Sequence, residues 1–550
     1  MTLRPALRLT ALAVAVLAQC VAAAAALPCA AKGQTIDTVV VEAHNIFDRA
    51  QNAPHILASL GDALHVTTRS WVIRRALLIS QGDQYDSARV VESERTLRRL
   101  GIFRQVRVDT AHINGRLAIV VTTDDGWTTV PQANYGTANG SVVWEAGLIE
   151  SNFLGTATTI GADYRVTPDR HETELLFAHP SLFVRHDIAN AEYLDRSDGT
   201  QADWIYGVPF FESAAKRALT TDGEEANQRV LVFRDGAEIA TPQREALRFT
   251  VTSGIASTAS STGYTRLLLA ATWRREGFSP DSLTAAPQPV FGTIGLGLDM
   301  GRPHLRVVEN LNSIGRREDA DITDRLNVGV WAAPRAFGYQ QDHAGVGLAT
   351  ALQKGTSWRG GFGIARLTAD GVYGRAGLDS GRVSGEATAV QLASPSQSLL
   401  MHAEAGAMRN ENPGAEFDLW TYDNGPRLYS AHTFTGNRML WGSVEDRFVV
   451  REDFLGLVDV GLAPFVDYGG AWYDNESPRL AANVGMSLRL GLSRGTSGDV
   501  VEYAVGYRYG DKSVGRGWAL TIRRAIIYFR PGTRRTGGAP NTYGPPLSPR

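Results

Sequence analysis

The sequence predicts a mainly β protein: a C-terminal transmembrane antiparallel β-barrel of about 16 strands, preceded by one small α/β domain. Three observations predict it. The N-terminus reads as an export signal, no later segment is long and apolar enough for a membrane helix, and from residue 128 to 529 the hydropathy alternates with period 2.

The export signal is expected over residues 1–26. Arg4 and Arg8 precede an apolar run from Leu9 to Ala26, and Ala24-Ala25-Ala26 supply the small residues of a cleavage site before Leu27. Cleavage there removes Cys20 and leaves only Cys29, so no internal disulfide can form and hydrogen bonds and packing must hold the fold. Composition points the same way. The chain of 550 residues has 57 glycines, 11 Trp and 17 Tyr, yet a mean hydropathy of only -0.15. A barrel exposes alternate residues to lipid and to its lumen, so its average hydropathy is that of a soluble protein. A net charge of -2 argues against nucleic acid as a partner.

Residues 34–127 read as the α/β domain. Ile36 to Glu42 is a strand, Ser70 to Ile79 a helix, and Asp86 to Leu100 a second helix. Asp86 can cap it, Val90, Ser93, Leu97 and Leu100 share one face, and Gly101 stops it. Two strands, Gln105 to Ile113 and Arg116 to Thr123, follow across Asn114-Gly115, a dipeptide suited to a type I′ turn. The connection from residue 43 to 69 is long.

In the barrel region, Ile160, Ala162, Tyr164 and Val166 alternate with Thr159, Gly161, Asp163 and Arg165, and Val458, Val460 and Leu462 alternate with Asp459, Gly461 and Ala463. At about 25 residues per strand and connection, residues 128–529 give the strand number above. Polar stretches at 213–228, 279–290, 309–324 and 409–426 read as loops. The last strand is expected over Gly517 to Phe529, with apolar parity shifting at Arg523-Arg524 as a bulge would shift it. A polar tail, 530–550, follows.

The order strand, helix, helix, strand, strand, with Gln81-Gly82-Asp83-Gln84-Tyr85-Asp86 between the helices and Leu100-Gly101-Ile102-Phe103 before the hairpin, resembles a POTRA domain. Tyr135-Gly136-Thr137 and Asn152-Phe153-Leu154-Gly155-Thr156 resemble the barrel entrance of the outer-membrane assembly-factor superfamily, the BamA- and TamA-like proteins with a surface-antigen type barrel. Arg427-Leu428-Tyr429 is similar to that superfamily's R-G-Y/F loop motif, with Leu428 where glycine is usual, and Phe465, Asp467 and Gly469 are similar to its F-x-D-x-G strand motif. Strand parity turns Asp467 and Glu445 toward the lumen, where a guanidinium from an inserted loop can meet them.

The resemblance implies a non-enzymatic insertase or translocase of the bacterial outer membrane. It would receive unfolded outer-membrane or secreted clients through a periplasmic POTRA domain. It would then assemble or export them through a barrel that opens at the seam between its first and last strands, marked by Tyr135, Gly136, Gly517 and Phe529. Periplasmic chaperones, lipoproteins and lipid are the further partners implied. The alternatives are a two-partner secretion transporter, which usually has two POTRA domains and a plug helix, and a passive porin-like barrel. Neither H-E-x-x-H nor G-x-S-x-G occurs, the histidines form no ligand spacing, and no cofactor or metal is expected.

Overall fold

The computed structural model describes residues 34–46 and 65–529, except 139–140, 281–289, 338–344, 375–376, 410–411, 420–424, 494, 496–499, 511–512 and 527. The expected signal peptide, the two cysteines, most of the 43–69 connection and the 530–550 tail lie outside the described residues.

The N-terminal unit is a three-stranded sheet carrying two helices. β1 (Thr38–His44) runs parallel to β3 (Arg116–Asp125), which also pairs antiparallel with β2 (Phe103–Ile113). The turn between β2 and β3 places Asn114 at φ 51° and Gly115 at φ 76°, the left-handed pair that a type I′ turn requires. Between β1 and β2 lie α1 (Ser70–Ala76) and α2 (Ser87–Arg99). The Asp86 side chain accepts from Ala88 N at 2.9 Å, a cap that contributes about 1 kcal/mol. Val90 and Leu97 turn inward into one cluster with Ile119 and Val121, and buried Ser93 accepts from Leu78 N at 3.0 Å. α1 is shorter than its periodicity suggests: after Ala76 the backbone is extended at Leu77, and Leu77, Leu78 and Ile79 are buried.

The period-2 region closes into a barrel of twenty strands among the described residues, from Thr129–Ala138 to Arg516–Arg524, which lies beside the first. This corrects the expected sixteen. Connections such as 359–360 and 395–396 are only two residues long, so the spacing per strand is ~20 residues and not 25. The polar stretch 213–228 is mostly strand Arg217–Arg229, with Glu224 and Gln228 turned inward, rather than a loop. Its outward face is also polar at Thr221 and Glu225, so alternation is invisible there. Elsewhere Trp144, Leu148, Tyr164, Leu269, Leu296 and Val505 form part of an exposed apolar outer surface, while charged residues fill the lumen.

The wall is uneven in height. Strands at and after the closure have 9 to 13 residues, as in Arg516–Arg524, Thr129–Ala138 and Thr158–Val166, whereas Gln243–Ala259 and Gly377–Ser394 have 17 and 18. Nine is the lower bound for crossing a bilayer at a ~45° tilt.

The last strand ends at Arg524, not at Phe529. Ala525 N–H still donates to Val500 O in the wall at 2.8 Å, and beyond it Tyr528 and Phe529 enter the lumen and pack on Phe362, Val390 and Leu400. The parity shift at Arg523-Arg524 therefore marks strand termination rather than a bulge, and Phe529 is not a closure residue. Gly517 lies at the start of the strand with φ 121°, and Tyr135 projects outward from the first strand, which also contains Gly136.

The N-terminal unit docks on one rim, here the near end. Asn152 donates to Thr68 Oγ1 at 2.8 Å and holds the 154–157 turn against it, and Arg69 N donates to Gly155 O at 3.0 Å. A Cβ at Gly155, already at φ 71°, would lie 2.6 Å from Thr67 O.

Candidate functional site

Two segments enter the lumen from opposite ends, and a ladder of buried charges lies between them. From the far end comes the connection between strands Gln397–Arg409 and Arg438–Phe454, which carries Arg427-Leu428-Tyr429. From the near end come a hairpin, Leu305–Glu309 paired with Arg317–Asp321, and the 525–529 segment.

The structure brings Arg427, Asp467 and Glu445 together. Arg427 donates through Nε to Asp467 Oδ2 at 2.9 Å and through Nη2 to Oδ1 at 3.1 Å, and its backbone N–H donates to the same carboxylate at 3.0 Å. Nη1 lies 3.1 Å from Glu445 Oε2, and Ser443 Oγ accepts from Nη2 at 3.0 Å. The guanidinium lies over the Phe465 ring at 4.0 Å. Such a bidentate, stacked arrangement uses the planar fork of arginine, which lysine lacks.

Leu428 and Tyr429 are fully buried. Leu428 packs on Phe465 and Ala504, and its backbone is not left-handed, so the position needs no glycine. Room comes from the same patch of wall, where a Cβ on Gly506, two residues from Ala504, would lie 2.9 Å from Leu428 Cδ1. Tyr429 donates to Ala482 O at 2.8 Å and meets Phe434 edge-on at 5.1 Å. Gly469 pairs with Trp441 in the neighbouring strand, and a Cβ there would lie 2.3 Å from Leu440 O.

Sequence reasoning missed the rest of the ladder. Arg447 donates to Glu445 Oε1 at 2.6 Å, and Arg523 donates to Glu502 at 3.1 Å. Glu502 also faces Arg489 at 3.4 Å and Arg427 at 3.8 Å. All these side chains are buried, and they join five consecutive strands ending at the last. A signal existed: Glu502 is the one charge in the alternation Val500, Glu502, Ala504, Gly506, as Arg489 is among Ser487, Arg489 and Gly491.

The ladder also touches the near-end hairpin, since Arg447 donates to Leu311 O and Arg489 to Asn312 O at 3.2 Å. Asn312 in turn clamps the C-terminal segment, donating to Tyr528 O at 2.9 Å and accepting from Tyr528 N at 2.8 Å. On its outer side the hairpin meets α2. Arg98 makes a bidentate pair with Asp319, at 2.9 and 3.0 Å.

At the far rim His432 lies between Asp169, at 2.8 Å, and Asp418, with its ring stacked on Phe233 at 3.5 Å. Burial alone lowers the affinity of this imidazole for a proton, but the two carboxylates outweigh it and raise the pKa to about 9. At the near rim His65 bonds to Asp125 at 2.9 Å.

No protein-family model matches the chain, and no curated protein sequence is similar to it. Among solved structures it is similar in fold to BamA from Haemophilus ducreyi lacking POTRA domains 1–3, with 11% identity, 89% of this chain and 84% of that chain covered, and a TM-score of 0.39. It is also similar to CdiB from Acinetobacter baumannii, with 8% identity, 89% and 73% covered and a TM-score of 0.43. CdiB from Escherichia coli overlaps with 10% identity, 91% and 93% covered and a TM-score of 0.44. At TM-scores below 0.5 none of these likenesses carries functional weight, which falls instead on the chain's own geometry.

Proposed function

We propose that this chain is a non-enzymatic outer-membrane insertase. In this reading the N-terminal unit is a periplasmic POTRA domain that offers a sheet edge to an unfolded client, and the client leaves laterally between strands Thr129–Ala138 and Arg516–Arg524. The observation that carries it is the contrast between lumen and closure. The lumen is filled from both ends, by the Arg427 loop and by the hairpin with Tyr528 and Phe529, whereas the closure lies in the low part of the wall, between strands of 9 and 10 residues. A client passing through the lumen must displace that packing, and a client entering the wall need not. Its backbone groups require partners before they meet lipid, and an opened strand edge supplies them.

The filled lumen disfavours the passive porin. A second reading, export of a secreted client through the lumen, is favoured by the Arg98–Asp319 pair, through which a movement of the N-terminal domain could draw the hairpin outward. Depleting the protein and comparing outer-membrane and secreted proteomes tests these readings. Loss of several barrel proteins is expected. Loss of one secreted protein alone favours export, and an unchanged pair of proteomes overturns both. Companion lipoproteins or chaperones would appear in crosslinks to residues 34–127.

A further inference from the structure

We propose that the lumen wall holds a site for a divalent transition ion of the Zn2+ class, formed by Glu386, His402 and Glu404. The three lie on adjacent strands, Gly377–Ser394 and Gln397–Arg409, and one donor atom from each lies within 4.8 Å of the others. Glu386 and Glu404 are direct cross-strand partners, which brings two carboxylates onto the same patch of the lumen face as His402.

His402 points to a ligand independently. Its side chain is 4% exposed, and Nε2 makes no hydrogen bond among the described residues. A buried ring nitrogen without a partner is costly. The other nitrogen, Nδ1, is bonded to Thr388 Oγ1 at 2.8 Å, and with Nδ1–H as donor the Nε2 lone pair faces Glu404 Oε2, 3.9 Å away. Trp441 and Tyr528 flank the ring, with centroids 4.6 and 5.2 Å away, and fix its plane. Arg366 holds one oxygen of Glu386 at 2.5 Å, as an outer partner orients a ligating carboxylate.

Bonds of ~2.0 to 2.2 Å to a tetrahedral ion need donors roughly 3.4 Å apart, so a small side-chain rotation closes the set. One imidazole with two carboxylates suits Zn2+ or its first-row neighbours better than Mg2+ or Ca2+, which prefer all-oxygen shells. A bound ion would tie the two strands together beside the 525–529 segment. It would also leave a coordination position open to the lumen.

The test uses the untagged full-length mature protein, folded in detergent and stripped with chelator. Titration with Zn2+ should show one equivalent bound at micromolar free ion, and Co2+ should give a visible d–d band and quench Trp441. His402→Phe, which keeps the ring, and Glu404→Gln should each weaken binding at least ~10-fold while gel mobility still reports a folded barrel. Stoichiometric binding unchanged in either folded variant overturns the site, as does its absence in the parent protein. If neither variant folds, binding of Co2+ to the parent without quenching of Trp441 overturns it.

Discussion

The two ends of the lumen are closed by different chemistry. The far-end loop is held by ionised groups: Arg427 meets Asp467 through two side-chain bonds and one backbone bond and also faces Glu445, all buried. The near-end hairpin is held mainly by carbonyls, one asparagine and aromatic packing, and it reaches outward to the N-terminal domain through Arg98. Breaking a buried ion pair strands a charge, whereas Arg447 and Arg489, which donate to the hairpin carbonyls, keep Glu445 and Glu502 as partners when the hairpin leaves. The far loop is thus a fixed part of the barrel, and the near plug is a part that can be moved.

Substitutions at the far end should cost most. Asp467→Asn or Arg427→Ala should destabilise the barrel by about 3 to 5 kcal/mol, read from denaturant midpoints, and the double variant should cost clearly less than the sum. Additivity would dissolve the contrast between the two ends. Asn312→Ala releases both backbone bonds of Tyr528 and should cost about 1 to 3 kcal/mol. Limited proteolysis should then open the C-terminal segment while the barrel still resists heat. A loss as large as that of Asp467→Asn would mean that the near plug is equally fixed.

Smaller effects sharpen the picture. Asp319→Asn breaks a partly exposed pair and should cost at most about 1 kcal/mol of stability, while raising single-channel conductance as the hairpin loosens from α2. The smallest effect is one of pH. Because His432 binds its proton more tightly when folded, its contact with Asp169 and Asp418 is at full strength below about 6.5, down to the aspartate range, and is lost as pH rises through about 9. Far-rim loops should therefore become more sensitive to protease between pH 7 and 10, and His432→Gln should remove that dependence.

The Phe465-x-Asp467-x-Gly469 strand was legible through its resemblance to a superfamily motif, and shared parity with Asp459 and Gly461 turned Asp467 toward the lumen. Glu445 followed from the same parity. The hairpin 305–321 was not legible: its charged residues, among them Glu309, Arg317 and Asp319, have the composition of a solvated loop, and only tertiary packing of Leu311 and Ile322 draws it inward. Nor was the end of the last strand, because Ile526, Tyr528 and Phe529 are as apolar as lipid-facing residues although two of them are buried in the lumen. The strand count failed where both faces are polar, as in Arg217–Arg229, or where turns are only two residues long.

The central claim is that clients leave through the closure while the lumen stays filled. Two engineered disulfides compared in one reconstituted vesicle assay test it most directly. One joins Thr129–Ala138 to Arg516–Arg524, with facing positions found by cysteine scanning; the other joins residue 312 to the 525–529 segment. The account predicts that the first blocks barrel assembly until reductant is added and that the second leaves assembly intact. Assembly that survives the locked closure but fails with the locked plug would contradict it.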